Sequence, residues 1–351
     1  MPRGPLMIIG GAEDKLRRRT VLQDFVTASG GRESRIAVIP TASSIGEEIV
    51  AVYAALFGKL GAAQVEAVDP TSRDDAHDED LVAALDDATG IFMTGGNQLK
   101  LSSIINGTPV GQAIVRAHRR GAVVAGTSAG ASIQSSHMVA FGSGGATPKQ
   151  RMTQVAAGLG LLTSSVIDQH FEQRNRYGRL LMIVAQSPAL LGLGVDEDTA
   201  ATVTHEIDDT TGAEREVMRV TGRGAVTVMD GSRMITNAFE AKRSAPLLAS
   251  GVVLHVLPAG AAYDLTRREL LPGETVIDPE DAAELEAVGK DLRRMARDIA
   301  ASDASPTVLR RRMSRLRKLR SAEQSPLDDQ PDPLPAALLE PARTPENGAT
   351  R

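Results

Sequence analysis

The chain has 351 residues and no cysteine. Disulfides, thiolate metal sites and a cysteine nucleophile are therefore excluded. Tryptophan is also absent and aromatic residues make up only 3%, so the core has to be assembled from Leu, Val, Ile, Ala and Met. At 42% hydrophobic, the chain has enough apolar surface to bury, and its length allows one large domain or two modest ones. A strong charge of either sign is missing too. The net value of −5 gives no general argument for nucleic acid. No apolar run approaches the roughly 18 residues of a membrane span, and Met7-Ile8-Ile9 is too short for a secretory h-region. The expected address is the cytoplasm, with no membrane association.

What the chain does contain is an alternation of short apolar runs with amphipathic segments. Residues 5–9, 35–40, 64–68, 90–94 and 122–125 read as strands. Helical spacing fills the intervals: a segment with Leu16, Val21, Leu22, Phe25 and Val26, then residues 47–60, 81–85 and 109–120. This order predicts an α/β fold with a mostly parallel sheet flanked by helices. In such sheets ligands bind beyond the carboxyl ends of the strands. Gly10-Gly11, Thr41-Ala42, Gly95-Gly96 and Ser128 all lie at such ends and should gather around one cleft. Beyond Leu191 the runs shorten. Residues 199–204, 216–220, 225–228 and 252–257 have hairpin-like spacing and are expected to extend the same domain at one edge as an antiparallel addition. The predicted organisation is an α/β domain over 1–278, a charged helical extension over 279–322, and a disordered Pro, Ala and acid-rich tail over 323–351. The extension holds Arg310, Arg311, Arg312, Arg315, Arg317, Lys318 and Arg320.

One stretch organises the rest. Val123-Val124-Ala125-Gly126-Thr127-Ser128-Ala129-Gly130-Ala131-Ser132 reads as a buried strand, a glycine-framed turn and a helix start. Gly126-Thr127-Ser128-Ala129-Gly130 fits G-x-S-x-G, the nucleophile elbow. The strand must reverse into a helix within a few residues. Side chains at the flanking positions would clash, and the serine is held at the tip with a helix dipole behind it. The plainer alternative is a turn with a serine N-cap.

A nucleophilic serine needs a base, an orienting acid and donors for the oxyanion. Of the six histidines, His77 sits in the acidic run of residues 74–80 and is expected to begin a solvated helix rather than bind metal. His118 is expected on a helix surface beside Arg119 and Arg120. His170 stands out, ending the apolar run Val166-Ile167 and sitting in Ile167-Asp168-Gln169-His170-Phe171 at a predicted strand end, although a core histidine would look the same. For the acid, Asp196-Glu197-Asp198 follows a short buried strand. Side chains alternate along a strand, so Asp196 and Glu197 point opposite ways, and the residues alone leave the choice open. Gly95-Gly96 offers a bare N–H as half of an oxyanion hole, at Gly96, with the N–H of Ala129 as the other half. Gly10-Gly11-Ala12 lacks the third glycine of a dinucleotide fingerprint. Gly142-Ser143-Gly144-Gly145 follows no clear strand and is expected to be a mobile loop near the site. Arg174, Arg176 and Arg179 follow His170 closely, the last two three apart and so on one helical face. They suit a carboxylate-bearing substrate, because the guanidinium fork matches carboxylate oxygens. A solvated basic face is the alternative.

Taken together, these segments resemble the cyanophycinases, serine peptidases related in fold to aspartyl dipeptidase and the class I glutamine amidotransferases. The resemblance runs through Gly10-Gly11-Ala12-Glu13-Asp14-Lys15, Phe92-Met93-Thr94-Gly95-Gly96-Asn97-Gln98-Leu99, the elbow, Gly158-Leu159-Gly160-Leu161-Leu162, residues 166–181 and residues 192–200, covering about residues 5–265. It implies a flavodoxin-like or glutamine-amidotransferase-like sheet, with Ser128 as nucleophile, His170 as base and Glu197 as third member. It also implies that Gln98, Asp168, Gln169, Arg174, Arg176 and Arg179 line the substrate pocket. The nucleophile, His, Glu order equals that of the glutamine amidotransferases, with serine replacing cysteine. The implied activity is hydrolysis of cyanophycin, a poly-aspartate bearing arginine on each β-carboxylate, to β-Asp-Arg dipeptides, without metal or other cofactor. Alternative readings are a dipeptidase for acidic or isoaspartyl peptides, and a non-catalytic binding protein with a basic tail. A homodimer is expected, and nucleic acid is not, the basic segment 310–320 being the one feature that would favour it. Ala156-Ala157-Gly158 departs from the family's usual Gly-Pro-Gly, a difference expected to be structural.

Overall fold

The expected apolar runs of the first half are strands: β1 (Leu6–Ile9), β2 (Arg35–Ile39), β3 (Gln64–Ala67), β4 (Gly90–Met93) and β5 (Val123–Thr127). The computed structural model describes residues 3–208 and 211–272, all within a unit spanning Met1–Val276. The five strands are parallel in the order β1-β5-β4-β2-β3. Helices α1 (Thr20–Ala28), α2 (Gly46–Lys59), α3 (Glu79–Asp87), α4 (Gln98–Ile105) and α5 (Pro109–Arg120) form the crossovers.

Both faces of the central strands are covered, and this is why they read as continuous apolar runs rather than as alternation. Leu6, Ile8, Ala37, Ile39, Ile91, Met93 and Val124 pack on the side of α3, α4 and α5. Met7, Ile9, Ile36, Val38, Phe92, Val123 and Ala125 pack on the side of α1 and α2. The scarce aromatics are concentrated on that second side. Phe25, Tyr53, Phe57 and Phe92 meet with ring centroids 4.7 to 5.5 Å apart. Caps place the helix ends: Thr108 Oγ1 accepts from the Gly111 N–H at 3.3 Å ahead of Pro109, and Gly121 ends α5 with φ 111°, a backbone that glycine adopts without strain.

After β5 come the single-turn α6 (Ala129–Ser132), the hairpin β6 (His137–Gly142) and β7 (Thr153–Ala157), then β8 (Ser165–Gln169), α7 (Tyr177–Gln186) and β9 (Leu191–Val195). The remaining strands are β10 (Thr199–Ile207), β11 (Glu214–Gly222), β12 (Ala225–Asp230), β13 (Ile235–Thr236), β14 (Ala249–Ser250), β15 (Val253–Pro258), β16 (Ala262–Asp264) and β17 (Glu269–Leu271). Only some of these extend the main sheet as expected. β10 lies antiparallel to β1, and β11, β16 and β17 continue from it. β12 and β15 instead join β8 and β9 in a second, four-stranded sheet, ordered β15-β12-β9-β8. β13 and β14 pair with each other. Local spacing is the same in either sheet, so it cannot assign the strands. The extension over 279–322, with its basic segment, and the tail over 323–351 lie outside the described residues.

Three local expectations change. Leu16 lies ahead of α1 and is exposed. Gly142 does follow a strand, β6. His118 is buried rather than on the surface. It faces His205 of β10 with ring centroids 5.8 Å apart, and neither of its ring nitrogens has a hydrogen-bond partner among the described residues. Burial pushes its pKa down to about 4, with His205, Arg3 and Arg119 adding to the effect. Unfolded, the imidazole would titrate near its ordinary value of about 6.5. Its contribution to stability is therefore complete above about pH 6.5 and is lost as pH falls toward 4, by on the order of 3 kcal/mol. Chemical denaturation across that range should show a shallower acid loss for His118→Leu than for the parent. Equal slopes would refute this account.

Candidate active site

The elbow is set by contacts that exclude side chains. A Cβ on Gly126 would lie 2.0 Å from the Gly130 carbonyl oxygen, and one on Gly130 would lie 2.2 Å from that of Met93. Between them Ser128 adopts φ 53° and ψ −107°, a conformation that costs a non-glycine residue about 1–3 kcal/mol. Its N–H donates to the Ile9 carbonyl at 3.0 Å, tying the turn to the end of β1. The strand ends do gather: Gly95 packs against the Ser128 side chain, and Gly96 against the Ala42 carbonyl.

His170 follows β8, and Glu197 follows β9. Ser128 Oγ lies 3.0 Å from His170 Nε2, and His170 Nδ1 lies 2.6 Å from Glu197 Oε1. The carboxylate thus accepts a hydrogen bond from Nδ1–H, which leaves Nε2 to accept from the serine hydroxyl. Asp196 turns the other way and accepts from the N–H groups of Glu172 at 3.0 Å and Ala225 at 3.1 Å. Burial lowers the His170 pKa below its ordinary value; Glu197 opposes the shift, and Arg174 and Arg176 reinforce it. A neutral imidazole near pH 7 can act as a base. As the first residue of α6, Ala129 has an N–H outside the helix's own ladder.

A cleft of about 530 Å³ opens beside these groups, lined in part by Gly96, Gln98, Phe141, Arg176 and Arg179. Gln98 is held by a 3.1 Å bond from its amide to the Val139 carbonyl. Arg176 and Arg179 are not a solvated face, since both are buried. Arg179 grips Asp168 through two nitrogens, Nε at 2.6 Å and Nη2, and donates from Nη1 to the Gly142 carbonyl at 2.9 Å. The loop after Gly142 is thus beside the site, as expected. Arg176 donates to the carbonyl and side-chain oxygens of Gln169 and reaches Asp168 at 3.4 Å. Burial pushes its pKa down to about 10. Arg174 is exposed, and its guanidinium has no partner among the described residues.

Two neighbours of the site escaped the sequence reading. Glu13 is buried just beyond β1 and accepts from the Thr127 hydroxyl at 2.6 Å, from Lys15 Nζ at 2.8 Å and from the Tyr53 hydroxyl. The available signal was an acid placed directly after a strand end. Asp14 accepts from the N–H groups of Leu16 and Arg17 at 2.9 Å and Arg19 at 3.1 Å. At Gly158 a Cβ would lie 2.0 Å from the Ser135 carbonyl oxygen, so that glycine is structural. Among the described residues no three His, Asp or Glu side chains are arranged to hold a metal ion, and no helix is long and apolar enough to cross a membrane.

A serine on a strained strand-to-helix turn, hydrogen-bonded in line to an imidazole and a carboxylate on an α/β sheet, is the arrangement of a serine-type hydrolase. The model of Peptidase family S51 matches residues 6–209, and the chain belongs to this family of serine-type peptidases. It is 38% identical over 271 residues to a cyanophycinase of Nostoc sp., covering 76% of this chain and 87% of that protein. It is 36% identical over 273 residues to a cyanophycinase of Geminocystis herdmanii, covering 77% and 97%. The crystal structure of a peptidase from an acI-B1 Actinobacterium superposes with a TM-score of 0.52 at 20% identity, over 75% of this chain and 97% of that one. That likeness speaks for the fold.

Proposed function

We propose that this chain is a cyanophycinase-type serine exopeptidase that cleaves cyanophycin to β-Asp-Arg dipeptides. The hydrogen-bonded line Ser128, His170, Glu197, with the cleft that Gly96, Arg176 and Arg179 line, carries the reading. It is supported by relatives named cyanophycinase that match over most of their length. Ser128 Oγ attacks the scissile carbonyl carbon while its proton passes to His170 Nε2. The N–H groups of Gly96 and Ala129 hold the oxyanion. His170 then protonates the leaving amine, and the acyl-enzyme is hydrolysed by a water that His170 deprotonates. Glu197 keeps the imidazole in the useful tautomer and stabilises its cation.

The substrate side is built from Gln98, Asp168, Gln169, Arg174, Arg176 and Arg179. Arg174 is the free cation of the set and takes a carboxylate of the aspartyl backbone. Asp168 and Gln169, buried behind the cleft, hold Arg176 and Arg179, which line it. The cytoplasmic address and homodimer expected from the sequence stay with this reading. Incubation with purified cyanophycin, followed by mass analysis, should show dipeptides of aspartate and arginine accumulating from the first minutes. An untouched polymer alongside rapid cleavage of short isoaspartyl peptides would replace this reading with the dipeptidase one.

A further inference from the structure

Four non-glycine residues with positive φ meet at one place: Ala12 at 47°, Ser128 at 53°, His170 at 47° and Asp198 at 51°. Two are members of the proposed triad and a third adjoins Glu197. Backbone of this kind persists only where its surroundings over-determine it. The surroundings common to all four are the loop 10–14 that leaves β1. The Gly10 carbonyl accepts from the His170 N–H at 2.8 Å, and the Gly11 carbonyl accepts from the Asp198 N–H at 2.9 Å. Gly11 lies against the imidazole, where a Cβ would come within 2.3 Å of a ring carbon. The Asp14 N–H donates to Asp198 Oδ1 at 2.8 Å.

Glu13 connects the same loop to the elbow. The residue is only 4% exposed. Burial alone would raise its pKa, but Lys15, Thr127 and Tyr53 reverse the effect, and the net shift is downward. An anion holds hydroxyl donors in shorter, stronger bonds than a neutral acceptor does. One of those donors, Tyr53, belongs to the aromatic cluster on α2. The other, Thr127, precedes Ser128.

We propose that Glu13 is a positioning residue for the nucleophile. Its buried carboxylate clamps the Thr127 hydroxyl to the Tyr53 face of the core and so fixes the peptide that sets Ser128, while the loop carries the same restraint to His170 and the Glu197 turn. The inference rests on the triad reading above. If Glu13 were only a satisfied core anion, its loss would reduce stability and leave the reactivity of each folded molecule unchanged.

The test uses the full chain and four variants: Glu13→Gln, Thr127→Val, Thr127→Ser, and Glu13→Gln combined with Thr127→Val. Labelling of Ser128 by a fluorophosphonate reports the nucleophile without any peptide, and kcat and KM on cyanophycin report turnover. Glu13→Gln and Thr127→Val should each lower the labelling rate and kcat by about ten- to a hundredfold, with KM within about twofold, the range expected for one charge-assisted hydrogen bond. Thr127→Ser, which keeps the hydroxyl, should stay within about threefold of the parent, and the double variant should be little worse than either single one. If Glu13→Gln does not fold, the isosteric Thr127→Val carries the test. Labelling of a folded Thr127→Val within about twofold of the parent, equal losses for Val and Ser, or multiplicative losses in the double variant would overturn the proposal. A parent that labels well but leaves cyanophycin intact would count against the substrate assignment alone. A parent that does not label would refute the triad and this inference with it.

Discussion

Replacing Ser128 with alanine is expected to lower kcat by about four to six orders of magnitude while leaving the fold intact. The hydroxyl makes its hydrogen bond to His170 Nε2, and Ser128 is half-buried, so little packing is lost. Adding His170→Ala should cost little more, because the groups act as a unit. The backbone supplies an internal control. Ser128 sits at φ 53°, so Ser128→Gly should be equally inactive yet more stable than Ser128→Ala, by up to about 1–3 kcal/mol, because glycine adopts that region without strain. Thermal unfolding of the two variants, read beside their kcat values, separates the chemical role from the conformational one. Near-parental hydrolysis by Ser128→Ala would eliminate it as the nucleophile.

The second large effect belongs to the ion pair behind the cleft. Asp168→Ala should destabilise the protein by about 3–5 kcal/mol, because it strands the Arg179 guanidinium in the interior. That residue is only 2% exposed, and its Nε and Nη2 have Asp168 as their sole partner among the described residues. At about 2.1 cal/mol/K per residue for the entropy of unfolding, over the unit Met1–Val276, the loss corresponds to a fall in Tm of roughly 5–9 °C. Asp168→Leu combined with Arg179→Met should recover most of the stability, since apolar pairs of similar volume often replace buried ion pairs without loss. Activity should stay low in the double variant, because Asp168 and Arg179 shape the cleft as well as the core. If Arg179 served substrate alone, Asp168→Ala would leave Tm unchanged and affect only KM.

Much of this arrangement is legible in the sequence. The central parallel strands are, because a strand buried on both faces must be apolar at every position, whereas the edge strand β3 is largely exposed. So is the elbow, because Gly126 and Gly130 occupy sites where a Cβ would overlap backbone 2.0 to 2.2 Å away. The gathering of Gly11, Gly96 and Ser128 follows from their common place at carboxyl ends of strands. His170 and Glu197 were reachable through the resemblance, and from the residues alone Asp196 remained an equal candidate.

What the sequence by itself determined is therefore whatever rests on local rules: strand or helix period, the sharp turn and the strand-end position of the serine. The tertiary structure alone decided that β8, β9, β12 and β15 form a second sheet, that Arg179 is matched to Asp168, and that His118 is buried against His205, and it sets Glu197, the residue the resemblance implies, rather than Asp196 against His170. Each of those outcomes depends on partners from different elements of the chain. Thr127 reaches Glu13 across 114 positions, and Ser128 reaches His170 across 42. A side-chain period of two or 3.6 specifies which face a residue occupies, but the charge or hydrogen-bonding group waiting on that face is set by how the elements pack.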